Sequence, residues 1–135
     1  MAGEDERQPQ WLAGLALAAV TLEAAGAILW LAWRFRRYEV AGSSMCPTFM
    51  PGDFVVVDRK AFARRKPHPG EVVLAPDPRE PSRTVLKRIA RIDLHGGLWL
   101  EGDNPDESTD SRSYGWVRPD ALLGRVVGRY WPLRR

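Results

Sequence analysis

The chain has one cysteine, Cys46, and two histidines, His68 and His95. A lone cysteine cannot form an intrachain disulfide. With no Cys-x-x-Cys pair and so few histidines, a structural zinc site is not expected, and no metal or other cofactor is called for. The scarcity of histidine also weighs against a Ser-His-Asp triad, which needs a positioned imidazole. His68 lies between two prolines in a basic loop and His95 in a Gly-Gly turn, so both read as exposed turn residues. Aromatic residues are not interleaved with the basic ones and no nucleic-acid-binding motif is present, so nucleic acid is not an expected partner. No internal repeat is visible.

What the chain does have is a folded balance of 44% apolar and 27% charged residues over 135 positions, enough for one domain plus an appendage. The net charge of +3 is unevenly placed. Arg34, Arg36 and Arg37 cluster, as do Arg64, Arg65 and Lys66. Such runs are usually solvated faces, with anionic lipid as the alternative partner.

Residues 1–10 form a polar, acidic segment. Residues 11–33 then carry a single charge, Glu23, and a bilayer-spanning helix needs about 20 predominantly apolar residues. Trp11, Trp30 and Trp33 lie near the ends, where interfacial rings belong. A cleavable signal peptide fits poorly, because the apolar run is long and the positive charges follow it. The alternative is a buried or surface-lying helix. In a membrane span, Glu23 costs roughly 2.5–3.5 kcal/mol near mid-bilayer. That cost implies either a partner helix from another subunit or a marginal anchor. Glu4, Asp5, Glu6 and Arg7 precede the span and three arginines follow it, so the positive-inside bias favours a cytoplasmic C-terminal domain but leaves its side of the membrane open.

From residue 34 to 135 the pattern is mainly β: short runs cut by Gly and Pro. Strands are expected at 38–41, 53–58, 71–75, 84–93, 97–101 and 123–130. Pro67-His68-Pro69-Gly70 and Pro76-Asp77-Pro78 read as turns, and His95-Gly96-Gly97 as a hairpin turn. The expectation is a small antiparallel β domain behind one N-terminal transmembrane helix.

Three ordered elements carry the candidate chemistry. The first is Gly42-Ser43-Ser44-Met45-Cys46-Pro47-Thr48. Gly42 permits close backbone approach and Pro47 stiffens the exit. A serine on such a loop attacks a carbonyl only if a base removes its proton; otherwise it is a turn serine bonding its own backbone. The second is Val85-Leu86-Lys87-Arg88. Strand alternation puts Lys87 on one face with Val85 and Ile89, where apolar neighbours penalise the ammonium form and lower its pKa. A neutral lysine amine can serve as general base; the alternative is a lysine that buries its stem and reaches water. Arg88 faces the other way, exposed or paired with a carboxylate. The third is 102–112. Gly102 and Pro105 make a turn in which Asp103 and Asn104 can bond backbone amides. Ser108 offers a hydroxyl to the Lys87 amine, and Asp110 and Arg112 are spaced to form an ion pair. Cys46 reads as a small packed residue rather than a rival nucleophile.

Together the three elements resemble the signal peptidase I family. The serine motif is matched by 42–48 and continues into Pro51-Gly52-Asp53, the lysine motif by Lys87-Arg88, and the third by Gly102-Asp103-Asn104 through Ser108, Asp110, Ser111 and Arg112. The similarity spans roughly residues 40–132. It implies a mainly β catalytic core, Ser44 as nucleophile, Lys87 as general base, Ser108 as the serine that orients the lysine, and Asp110 with Arg112 as a structural ion pair. Gly42, Met45, Pro47, Arg88, Asp103, Asn104 and Ser111 would be supporting positions. Some family members carry an oxyanion-donating serine two positions before the nucleophile. Here that position is Gly42, which leaves more of the task to the Ser44 amide. The compact spacing resembles mitochondrial inner-membrane peptidases and nickel-type superoxide dismutase maturation proteases, the latter also through Asp58-Arg59-Lys60-Ala61-Phe62, Glu71-Val72-Val73 and Leu123-Gly124-Arg125-Val126. The resemblance implies an endopeptidase that removes an N-terminal leader, with small side chains before the cut. A LexA-type self-cleaving switch and a non-catalytic membrane-tethered β module are the competing readings. The first would require a DNA-binding segment, of which none is visible.

Overall fold

The computed structural model describes residues 9–132. Most of the polar segment expected at 1–10 therefore lies outside the described residues. The chain divides after Trp33 into two compact units.

The first unit is built on helix α1 (Gln10–Arg34), whose bounds lie one residue outside the expected 11–33 at each end. No α1 residue is buried against protein. The helix is long and apolar enough to cross a membrane. Trp11, Trp30 and Trp33 are all about half exposed or more, and Thr21 donates its hydroxyl to the Ala18 carbonyl at 2.8 Å. A hydroxyl bonded within its own helix is not left unsatisfied in lipid.

The second unit is a six-stranded, wholly antiparallel sheet in the order β1-β2-β6-β3-β4-β5. Its strands are β1 (Phe35–Glu39), β2 (Phe54–Asp58), β3 (Val72–Asp77), β4 (Glu80–Ile92), β5 (Leu98–Glu101) and β6 (Gly124–Trp131). All six expected strands are present with shifted ends. The largest correction concerns Pro76-Asp77-Pro78, expected as a turn. Pro76 and Asp77 continue β3, and the chain reverses at Pro78 and Arg79, with Asp77 paired to Glu80. Asp77 makes this possible by accepting from the Arg79 amide at 2.9 Å and from its guanidinium, so a side chain shapes the tip of the hairpin. The His95-Gly96-Gly97 turn forms as expected, with Gly96 at φ +85° and the Asp93 carboxylate accepting from the His95 and Gly97 amides.

Alternation along the central strands serves two cores. Val72 and Leu86 join Val40, Met45, Phe49, Val55, Val57 and Val126 in one cluster. Val73 and Ile89 join Ala75, Leu98, Leu100 and Val117 in another. Adjacent residues of a strand point to opposite faces, so β3 and β4 are covered on both sides. The strand that carries Lys87 therefore has an apolar cluster on each face.

The arginine clusters are less free than their sequence suggests. Arg34 forms a two-pronged pair with Asp58, at 3.1 and 2.7 Å, while Arg36 and Arg37 lie on β1. Arg65 pairs with Glu71 at 2.6 Å and stacks over Phe62.

Candidate active site

The serine loop, 41–52, leaves β1 and returns to β2. Its base is closed by two backbone bonds: Val40 donates to Asp53 at 2.8 Å, and Gly52 donates to Val40 at 2.7 Å. Asp53 is fully buried and accepts from the Met50 amide at 2.8 Å and from Arg129 at 3.1 Å, fixing the return turn. Met45 and Phe49 anchor the loop in the first core cluster. Ser44 is held between these anchors, half-buried, and lines a cavity of about 310 Å³.

Lys87 lines the same cavity. It is 3% exposed and pairs across the sheet with Val73, which is fully buried. The expected flank is only partly as described: Ile89 is buried, while Val85 is half-buried and lines the cavity. Burial pushes the Lys87 pKa below its ordinary value. The Asp110 charge opposes that shift and the Arg83 charge adds to it. The amine donates to Ser108 Oγ at 3.0 Å. Ser108 Oγ in turn donates to Asp110 Oδ2 at 2.6 Å. The chain Lys87–Ser108–Asp110 thus connects the amine to a carboxylate through a hydroxyl, without a direct ion pair.

Asp110 is fully buried and caps the short helix α2 (Ser111–Tyr114). Burial alone would raise its pKa. The Arg112 guanidinium, the Ser108 hydroxyl and the Gly102 and Arg112 amides outweigh that and hold the carboxyl well below the usual range. The expected Asp110–Arg112 pair is two-pronged, at 2.9 and 2.6 Å. Ser111 is also buried and its hydroxyl accepts from the Leu100 amide at 2.8 Å. Together with the Gly102-to-Asp110 bond at 2.8 Å, this ties the third motif along β5.

Gly102 is required by close approach. A Cβ there would overlap Ser108 Oγ, Ser108 Cβ and the Ser44 carbonyl oxygen. Asp103 receives a two-pronged bond from Arg88, at 2.8 and 2.6 Å, and another from the Thr48 hydroxyl at 2.6 Å. Arg88 also donates to the Gly70 carbonyl at 2.8 Å. Asn104 donates its amide N–H to the Ser44 carbonyl at 2.9 Å and its Nδ2 to the Ser43 carbonyl at 3.1 Å. The lysine strand, the third motif and the serine loop are therefore bound to one another directly.

Sequence reasoning gave no role to several residues that the fold brings to this cavity. Tyr38, Asp77, Arg79, Arg83 and Glu107 line it. Tyr38, Asp77, Arg79 and Arg83 lie outside the three motifs, whereas Glu107 falls within the third. Only the hairpin geometry of β3 and β4 delivers Asp77, Arg79 and Arg83. Gly42 is exposed at the rim, Pro47 is exposed and Cys46 is half-buried. His68 and His95 are exposed and do not line the cavity.

Residues 10–92 match the family described as Signal peptidase, peptidase S26. The chain is 36% identical over 112 residues to mitochondrial inner membrane protease subunit 1 of Xenopus tropicalis, covering 69% of this chain and 67% of the relative. It is 32% identical over 116 residues to mitochondrial ATP-independent inner membrane protease subunit 1a of Arabidopsis thaliana, covering 70% and 69%. It is 30% identical over 112 residues to the Homo sapiens subunit 1, covering 69% and 68%. The family match includes the Ser44 and Lys87 motifs and stops before Gly102. With the apolar helix at its head, the chain is a single-pass membrane protein of peptidase type, and it belongs to the signal peptidase (peptidase S26) family.

Proposed function

We propose that the chain is a membrane-anchored serine endopeptidase, catalytic over residues 34–135, that removes N-terminal leaders from precursor proteins. The observation that carries this is the buried Lys87 amine, 3.0 Å from Ser108 Oγ, in the cavity that Ser44 also lines. Neutral Lys87 takes the Ser44 proton as Ser44 Oγ attacks the scissile carbonyl. The Ser44 N–H donates to the oxyanion. Collapse breaks the C–N bond, and the Lys87 ammonium returns its proton to the departing amine. Water, deprotonated by the same amine, then hydrolyses the acyl-enzyme. Ser108 fixes where the amine points, and Asp110 with Arg112 fixes Ser108. No metal takes part in these steps.

The precursor is proposed at two levels. The relatives compared above are named as subunits of inner-membrane proteases, which supports work at a membrane and a partner subunit, with Glu23 as the polar position for a partner helix. The stretches at 58–62, 71–73 and 123–126 favour a nickel superoxide dismutase precursor as the dedicated substrate. The test is cleavage in detergent of a secreted preprotein and a nickel superoxide dismutase precursor, by wild type, Ser44→Ala and Lys87→Ala. A wild-type cut lost in both variants supports the Ser/Lys mechanism, and the precursor cut identifies the branch. A cut retained in either variant sinks the mechanism.

A further inference from the structure

We propose that Asn104 is a positioning residue that holds the Ser43–Ser44 peptide so that the Ser44 N–H faces the oxyanion; this rests on Ser44 being the nucleophile. In a trans peptide the C=O and N–H of one unit point in opposite directions. The cis bonds of this chain among the described residues are Cys46–Pro47 and Trp131–Pro132, so the units on either side of Ser44 are trans. The Ser43 carbonyl accepts from Asn104 Nδ2 and from the Cys46 amide, each at 3.1 Å. The next carbonyl, that of Ser44, accepts from the Asn104 backbone N–H at 2.9 Å. Two successive carbonyls thus converge on one residue. Their peptide partners, the N–H groups of Ser44 and Met45, are turned away from it.

Neither of those N–H groups donates a hydrogen bond among the described residues. Adjacent amides that point together form an anion-binding concavity. Ser43, Ser44 and Met45 line the cavity, whereas Asn104 does not. The donors are therefore free on the side where a substrate carbonyl would sit, and Asn104 grips the opposite side.

Gly42 makes this grip matter. It offers no hydroxyl to the oxyanion, so backbone donors carry the stabilisation. A Cβ at Gly42 would meet nothing within 4 Å, so a side chain can begin there without a clash at its β-carbon. An aspartate at 104 would keep the size and the backbone N–H but lose the side-chain donor and repel the Ser43 carbonyl.

The experiment uses full-length protein in detergent with whichever precursor the wild type cleaves. Asn104→Ala and Asn104→Asp are compared with wild type by kcat, KM, pH profile and melting temperature. The expected result is a kcat loss of roughly 10- to 100-fold, with KM and the rising pH limb unchanged. Gly42→Ser in the Asn104→Ala background is expected to recover part of that loss by adding a hydroxyl donor. Wild-type kcat in both folded variants would overturn the inference and leave the Ser/Lys mechanism standing. So would a shifted pH limb, which would place Asn104 with Lys87 instead. If Asn104→Ala does not fold, the near-isosteric Asn104→Asp decides. If Ser44→Ala cleaves as well as wild type, the nucleophile reading falls and this inference falls with it.

Discussion

Two neighbours on β4 show how one strand can run two electrostatic regimes. Lys87 is 3% exposed, sits on a strand covered on both faces and meets its carboxylate only through Ser108. Its pKa falls because burial penalises the charged form. Arg88, one residue on, is half-buried and grips Asp103 with both prongs of its guanidinium. Its pKa rises, because the hydrogen-bonded carboxylate outweighs burial. The same backbone thus presents a removable proton on one side and a permanent cation on the other. Lysine suits the first task because it can deprotonate, and arginine suits the second because it cannot. A base in a direct ion pair would keep its proton, so the hydroxyl between Lys87 and Asp110 is central to the arrangement.

The contrast can be broken most severely at the base. Lys87→Ala is expected to lower kcat by about 10⁴-fold while leaving the sheet intact, measured as leader cleavage alongside a melting curve. Lys87→Arg should be equally inactive, since a guanidinium does not give up its proton, although its charge is retained. Next in size is Gly102→Ala, whose added methyl must displace Ser108 or the Ser44 carbonyl. A shift of that kind is expected to cost about 10²-fold in kcat. Arg88→Ala should act mainly on stability. It leaves Asp103 with only Thr48, at a cost of about 1.5–3 kcal/mol in denaturant unfolding, and the pH limb of catalysis stays in place.

The smaller effects concern proton binding. Cleavage should rise with pH through the lowered Lys87 pKa, because the neutral amine is the active form. Arg83→Gln removes a cation that also pushes that pKa down. The rising limb should therefore move to higher pH by a fraction of a unit; an unmoved limb would separate Arg83 from the base. Lys87→Met should raise the melting temperature near neutral pH. Lys87 has a folded pKa below its ordinary 10.5, so the unfolded chain holds more protons between the two values and wild-type stability climbs with pH across that window. The advantage of Lys87→Met should accordingly shrink as pH approaches 10.5. A constant advantage would mean that burial of the charge is not its source.

The strands and the apolar helix were legible because each depends on short-range pattern, period-two alternation or a long apolar run. The Asp110–Arg112 pair was legible from its two-residue spacing, although that spacing is held by the cap of α2 and not by an extended segment. The Lys87–Ser108 contact, 21 residues apart, was suggested by the order of the motifs and their family resemblance. The hairpin tip was not. Pro76 read as a turn former, but it sits where β3 pairs with Thr84, and Asp77 moves the reversal onward by bonding the Arg79 amide. The double coverage of β4 was also hidden, since nothing local shows that Leu86 and Ile89 belong to different cores. Arg88 was expected to be exposed or paired, and only the fold supplies Asp103 as its partner. The grip of Asn104 on two carbonyls joins positions about sixty residues apart, and no spacing rule reaches that far.

The closed base of the serine loop has a thermodynamic meaning beyond geometry. Bringing the ends of a flexible loop together costs entropy that grows slowly with its length. Here Val40, Gly52 and Asp53 complete that closure when the sheet forms, and Met45 and Phe49 remove the remaining freedom. The ordering belongs to folding and not to substrate encounter. Under the proposed function, a leader peptide entering the cavity would meet a Ser44 hydroxyl that is already localised, so its own binding free energy would be left for orienting the scissile bond.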